Sequence, residues 1–271
     1  MKISRMPAAG RHPGLKGKTM KILVISDIHG YYDGLRAVWK QERDADAILV
    51  LGDIVDWGFN PHECVQFCRE HNVIAISGNH DLSILDAYDR GVRMPEDGSP
   101  YTFAELTLER LTRDDLDYLR ALPTERYLTL DGMKICMRHY PMGPETEMHT
   151  IEKAAAAHNT INWADKEWKE MTGEDPNHFE NRVFIHGHTH QCRILLPGCG
   201  YTLLNPGSLA YRVCADSCAK GATYLTIESG VVFPHEILYP TEHLLKMIDE
   251  QNFKPEVEQP VRVYMAPQAK N

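Results

Sequence analysis

The sequence has no long apolar run. Its longest stretch without Asp, Glu, Lys or Arg extends from Ile194 to Tyr211. Pro197, Gly198, Gly200, Pro206 and Gly207 break that stretch, so it reads as turns and short strands and not as a membrane helix. No two cysteines have the C-x-x-C spacing, which excludes a zinc knuckle or a dithiol redox motif. Seven cysteines are an odd number in a chain too long to need stapling, and a cytoplasmic, reducing setting is the expectation. The 19 glycines and 16 prolines follow no period, and there is no repeat, so a fibrous chain is excluded. The first 19 residues contain no apolar core and are not expected to be a secretory signal.

Positive charge is also scarce. There are 29 Lys and Arg residues against 38 Asp and Glu, a formal net charge of −9. Six of the basic groups lie in the first 21 residues, where there is no acid, so the remainder carries −15. That balance argues against a general nucleic-acid surface, and neither a stable nucleic-acid complex nor a membrane partner is expected. The chain has 14 histidines, all but His12 in that acidic body, which points to bound cations. Residues 1–19 read as a flexible basic arm. Met20 stands directly before the first strand and reads equally well as the true start. No pattern specifies an oligomeric state.

What is present is a strand–helix–strand rhythm. Apolar runs at Lys21–Ser26, Ala47–Leu51 and Val73–Ser77 predict three strands. Asp33–Arg43 and Pro61–His71 predict helices between them, the second opening on Pro at a favoured first-turn position. The alternation predicts a mainly parallel sheet covered on both faces. Leu82–Arg90 and Phe103–Leu122 predict helices, the latter broken near Thr112–Asp114. Tyr127–Leu130 and Lys134–His139 predict a hairpin around Asp131-Gly132. Residues 141–181 read as a helical insertion, with Trp163 and Trp168 more suited to anchoring it than to stacking on a ligand. Later strands are predicted at Val183–Ile185, Arg193–Leu196, Tyr201–Leu204, Ala222–Glu228 and Val231–Leu238. A final helix follows at Thr241–Gln251, and 252–271 reads as a tail or strap. One domain, 20–251, carries all of this.

Each of the first three strands ends in a polar cluster. These are Asp27-Ile28-His29-Gly30, Gly52-Asp53-Ile54-Val55-Asp56 and Gly78-Asn79-His80-Asp81. Ligands of parallel sheets sit outside the carboxyl ends of the strands, so the three clusters converge. Two later strands lead into His139 and into His186-Gly187-His188-Thr189-His190. In an extended segment His186, His188 and His190 would share a face. The convergent set is Asp27, His29, Asp53, Asn79, His139, His188 and His190. It is a mixed oxygen and nitrogen set without thiolate, suited to Mn, Fe, Co, Ni or Zn. Seven donors exceed one tetrahedral site, and two neighbouring ions suit in-line displacement at phosphorus.

In their order from Asp27 to His190, the motifs DxH, GDxxD, GNHD, a lone His and GHTH resemble the calcineurin-like metallophosphoesterase superfamily. Asn205-Pro206-Gly207-Ser208 resembles a turn of its bacterial phosphodiesterase-like branch. The resemblance implies an α/β fold, a two-sheet sandwich flanked by helices in four αββα layers. It implies two divalent transition-metal ions (Mn, Fe, Ni or Zn). Asp27, His29 and His190 would hold one ion and Asn79, His139 and His188 the other, with Asp53 and a hydroxide bridging them. His80 would assist the leaving group, as proton donor or as stabiliser of the phosphoryl oxygens, and Asp56 would orient His80. The implied activity is hydrolysis of a phosphodiester or a small phosphorylated metabolite by that hydroxide.

Three departures qualify the resemblance. Trp57 and Ser77 stand where the protein-phosphatase branch carries a phosphate-clamping pair of arginines. Arg138 and Arg212 are candidates to supply the missing positive charge. The His139 strand continues Tyr140-Pro141 where Gly is commoner. Open alternatives are a serine/threonine protein phosphatase, a dinucleoside-polyphosphate hydrolase and a non-catalytic scaffold of the same fold. His186 is expected to hold neighbours in place, and Asp81 either to cap a helix or to support a ligand. His12, His62, His71, His149, His158, His178, His235 and His243 are expected to take no part.

Overall fold

The computed structural model describes residues 20–140, 182–195, 201–210, 221–240 and 242–258. The predicted arm, the insertion with Trp163 and Trp168, Arg212 and the end of the predicted tail lie outside the described residues.

Two mixed sheets of five strands each form the body. The first contains β1 (Lys21–Ile25), β2 (Ala47–Val50), β3 (Ile74–Ala75), β9 (Ala222–Glu228) and β10 (Val231–Ile237) in the order β10-β9-β1-β2-β3. β1, β2 and β3 run parallel, and β9 pairs antiparallel with β1. The second contains β4 (Glu125–Leu130), β5 (Met133–Arg138), β6 (Arg182–Ile185), β7 (Cys192–Leu195) and β8 (Tyr201–Pro206) in the order β4-β5-β6-β8-β7. Its centre, β5-β6-β8, is parallel.

The wholly apolar run of β1 has a physical reason. Leu23 and Ile25 face one core with Leu35 and Val38 of α1 (Tyr32–Gln41), Val65 of α2 (Pro61–Glu70) and Ile84 of α3 (Asn79–Asp89). Ile22 and Val24 face a second core with Ile135 and Met137 of β5 and Val183 and Ile185 of β6. Period-two alternation therefore buries one face under helices and the other under the second sheet. The expected mainly parallel sheet is corrected to a mixed one, because the chain returns through β9 and β10.

The predicted helix Phe103–Leu122 is two helices, α4 (Phe103–Arg110) and α5 (Arg113–Ala121). The predicted break is where α5 is capped. The Thr112 N–H donates to Asp115 Oδ2 at 2.8 Å, and Asp115 N–H donates back to Thr112 Oγ1 at 3.2 Å. His62 Nδ1 and Gln66 Nε2 also reach the Asp115 carboxylate, each at 2.7 Å. A third apolar cluster joins Phe59, Phe103, Leu244 and Ile248 of α6 (Glu242–Asp249), and Phe253. Phe253 stacks on Phe103 with ring centroids 4.3 Å apart.

Asp115→Ala removes that cap and unpairs its partners, and is expected to lower stability by about 2 kcal/mol at pH 7. Burial opposes ionisation of Asp115, but His62, Thr112 and Gln66 outweigh it and hold the carboxyl below its ordinary value. Its stabilisation is therefore complete above the unfolded value, about 3.9, and is lost as pH falls through the folded one. Urea melts should show the gap between variant and parent narrowing below about pH 4.

Candidate metal centre

The site lies where the carboxyl ends of β1, β2 and β3 meet those of β5 and β6. Tight turns aim the side chains inward. Asp27, His29, Asp53, His188 and His190 all have φ between 49° and 65°, in the left-handed region. So do Asp56 and Trp57, at 74° and 67°. Those seven are most of the ten such non-glycine residues among the described residues, so backbone strain is concentrated at this site.

The seven donors form two groups, and a third group of possible ligands, His29, Asp53 and His80, overlaps both. In the first, His190 Nε2 lies 3.1 Å from Asp27 Oδ1 and 3.2 Å from His29 Nε2. In the second, His139 Nε2 lies 3.1 Å from Asp53 Oδ2 and 2.9 Å from Asn79 Oδ1, which in turn is 3.1 Å from His188 Nδ1. Asp53 reaches both groups, with Oδ2 also 3.7 Å from His29 Nε2. All seven candidate ligands are thus brought together. An ion with ligand bonds of about 2.0–2.2 Å sets its ligands about 3.0–3.5 Å apart, and these separations cluster there. The residues fit divalent ions on that ground and on donor chemistry, since two carboxylates, an amide oxygen and four imidazoles suit first-row metals.

The titration of these groups follows from packing. Burial pushes the His29 imidazole down to about 3 and His188 to about 4, so both are neutral, with a lone pair to offer. Burial opposes protonation of His139 too, but the Asp53 carboxylate outweighs it and raises this ring to about 9. Burial likewise opposes ionisation of Asp27 and Asp53, yet the adjoining imidazoles hold both carboxyls below the ordinary range. A cation arriving at this point competes with those protons.

Neighbouring groups fix the donors. His139 Nδ1 donates to the Leu51 carbonyl at 2.7 Å, which leaves Nε2 for the site. The His188 N–H donates to both Asp27 carboxylate oxygens, at 3.2 and 3.1 Å. Asp81 settles the question left by its sequence position, since it does both things expected of it. It accepts the Gly78 N–H at the start of α3 and the N–H groups of Ile54 and Val55, at 2.9–3.1 Å, lashing the second motif loop to the third. Burial and the Asp53 charge push its carboxyl up to about 7.

His80 lies beside the first group. Its Nδ1 is 2.7 Å from Asp56 Oδ2, and its backbone N–H donates to Asp53 Oδ1 at 2.8 Å. The helix predicted from Leu82 in fact starts at Asn79, which puts Asn79 and His80 on its first turn. One of that turn's open N–H groups is therefore satisfied by a candidate ligand.

Some expectations change. His186, His188 and His190 do not share a face. β6 ends at Ile185 and the left-handed turns at His188 and His190 send those two side chains to different groups. His186 is buried, with Nδ1 3.2 Å from Asn205 Nδ2. Arg138 binds Glu125 across the hairpin, Nε to Oε2 at 2.7 Å, so its charge is committed away from the ligands. Ser77 is buried and its N–H donates to the Pro123 carbonyl at 2.9 Å. That bond takes Ser77 out of the ladder at one end, the Val73 N–H goes to the Cys68 carbonyl at the other, and the strand is Ile74–Ala75 where five residues are predicted.

Two residues of the Asn-Pro-Gly-Ser turn carry roles that the motif alone does not reveal. Asn205 Nδ2 donates to the Gly187 carbonyl at 2.9 Å and to Thr189 Oγ1 at 3.0 Å, bracing the GHTH turn. Ser208 Oγ donates to the Asp27 carbonyl at 2.9 Å, bracing the DxH turn.

Gly78 shows how tightly the site is built. A Cβ there would drive into the Asp53 carboxylate and its backbone nitrogen. Gly78→Ala is expected to displace Asp53, lowering stability by about 1–3 kcal/mol and bound metal with it, as checked by melts and metal analysis.

A model of the calcineurin-like phosphoesterase superfamily domain matches residues 20–229, and the chain belongs to that superfamily. An uncharacterized protein of Methanocaldococcus jannaschii is 33% identical over 129 residues, 46% of this chain and 51% of its own. A symmetrical bis(5'-nucleosyl)-tetraphosphatase of Klebsiella pneumoniae is 27% identical over 174 residues, covering 60% of this chain and 59% of its own. The chain therefore spans little more than half the length of these relatives. The crystal structure of a metallophosphoesterase from Sphaerobacter thermophilus superposes with a TM-score of 0.65 at 21% identity, over 92% of this chain and 100% of its own, and shows the same fold.

Proposed function

We propose that the protein is a metal-dependent phosphoric ester hydrolase that cleaves a phosphodiester or a small phosphorylated metabolite at a centre of two divalent ions. The observation that carries this reading is the convergence of seven donors in two groups that share Asp53, with a braced histidine alongside. Asp27, His29 and His190 would hold one ion, Asn79, His139 and His188 the other, and Asp53 both. When bound, such ions make water nucleophilic near neutral pH and offset charge on the phosphoryl oxygens.

The chain's own residues do the rest. Asp56 accepts the proton of His80 Nδ1, which leaves Nε2 to face the substrate. Burial lowers the proton affinity of His80, but the Asp56 carboxylate outweighs it and the net shift is upward. A protonated ring can give its Nε2 proton to the departing ester oxygen. Charge complementarity supports a diester over a phosphomonoester dianion, a phosphoprotein included. A phosphomonoester dianion needs a clamp of fixed cations, but Trp57 and Ser77 occupy the clamp positions and Glu125 takes up Arg138. The tetraphosphatase relatives favour a second reading, hydrolysis of a dinucleoside polyphosphate, which would use the same ligands.

A cytoplasmic location belongs to the same proposal. Among the described residues Cys64, Cys68, Cys136 and Cys192 form no disulfide, as suits a reducing compartment. Among the described residues no helix is long and apolar enough to cross a membrane.

The test is metal analysis of the purified full chain, then assays on bis-p-nitrophenyl phosphate, p-nitrophenyl phosphate, diadenosine tetraphosphate and a phosphopeptide. The diester or the tetraphosphate is expected to turn over fastest, and chelation to abolish all hydrolysis. Preference for the phosphopeptide, or turnover in the presence of a chelator, would overturn the reading.

A further inference from the structure

We propose that Trp57 is a positioning residue that holds the His80 ring in its working orientation; this rests on the reading of His80 as the leaving-group histidine. Three rings form a closed cluster. The Trp57 indole meets His80 edge to face, with centroids 4.4 Å apart and planes at 66°. It stacks on His29 at 4.9 Å and 15°, and His29 meets His80 at 4.8 Å and 81°.

A second loop of contacts closes through Asp56. One of its oxygens faces His80 Nδ1 at 2.7 Å, and the other accepts the Trp57 backbone N–H at 2.9 Å. His80 is therefore gripped at a ring nitrogen by Asp56 and on its ring by the next residue in the chain. Trp57 is anchored in turn, because it packs against the apolar cluster that contains Tyr31 and Phe59.

The backbone shows that this placement is built in. Asp56 and Trp57 are consecutive left-handed residues, a conformation uncommon for non-glycine residues and rare for a ring as bulky as indole. A side chain that merely filled space would not require it. The strain turns the indole onto both histidines, and an imidazole with only one hydrogen-bonded nitrogen would otherwise be left to pivot about that bond.

Two readouts test this on the full chain loaded with zinc, a diamagnetic ion. The first is the His80 ring resonance in carbon-13 histidine-labelled protein, identified by its disappearance in His80→Ala. Trp57→Leu should move it toward the position of an exposed histidine, and Trp57→Phe should keep part of the ring-current shift. The second is kinetic. Trp57→Leu should lower kcat on alkyl phosphodiesters by about 10–100-fold more than on aryl ones, with KM within about twofold, and Trp57→Phe should restore most of it. An unmoved resonance, equal losses on both ester classes, or a Phe variant no better than Leu would overturn the proposal. If Trp57→Leu does not fold, the Phe variant alone decides, since a resonance and rates identical to the parent's would exclude a role for the indole. Should the parent hydrolyse no phosphoester, the proposed function falls, and the His80 side-chain torsions in crystal structures of the parent and Trp57→Leu still report whether Trp57 orients His80.

Discussion

Asp53→Asn is expected to strip metal from the protein and to abolish hydrolysis together, leaving a chain that still folds but unfolds more easily. The substitution conserves shape but removes a charge at the one carboxylate that faces both donor groups. Asp53 Oδ2 is 3.1 Å from His139 Nε2 and 3.7 Å from His29 Nε2. Its Oδ1 accepts the His80 N–H, and an asparagine oxygen can keep that bond. The new NH2 group then faces the two imidazole nitrogens and occupies the space between them with protons, where a cation would need lone pairs. Metal affinity should fall by at least about 100-fold and turnover by on the order of 1,000-fold or more. Metal analysis beside an assay on the best substrate checks this. Full occupancy with undiminished turnover would refute the shared-ligand role.

His80→Ala should separate the two effects. His80 is not one of the seven assigned ligands, although a ring nitrogen lies within 4.8 Å of donor atoms of His29 and Asp53, so most of the bound metal should be retained. Loss of a positioned proton donor should lower kcat by about 10²–10⁴-fold on esters with poor leaving groups, and far less on nitrophenyl esters, whose leaving group needs no proton. Asp56→Asn should follow the same pattern at smaller amplitude, because it frees the ring without removing it. A uniform loss on every ester would point to a role in binding instead.

Much of this site could be read from the chain because its ligands follow apolar runs. Asp27, His29, Asp53 and Asn79 come directly after strands or their extensions, and the carboxyl ends of parallel strands are where side chains converge. The sandwich was less legible in the residues themselves. The run Ile22–Ile25 is apolar on both faces, and such a run does not say whether helices or a second sheet will cover it. It took the motif resemblance to supply the second sheet. The fold brings His188 and His190 to the donor cluster by left-handed turns that no periodicity encodes, and an extended-chain argument does not account for them. The pairing of Arg138 with Glu125 is not legible in the sequence, because Glu125 lies across a hairpin and only strand register brings them together. Ser208 braces Asp27 across 181 positions of sequence, a distance at which local pattern carries no information.

The donors are drawn from both halves of the sandwich. Asp27, His29, Asp53 and Asn79 follow strands of the first sheet, and His139, His188 and His190 follow strands of the second. An ion seated among them is therefore a rivet between the layers as well as a reagent. Its binding energy becomes cohesion of the whole body, so resistance to unfolding should climb, for each ion bound, by about 1.4 kcal/mol for each tenfold rise in free ion above the dissociation constant. Starving such a protein of metal would loosen its architecture at the same time as it silenced its chemistry.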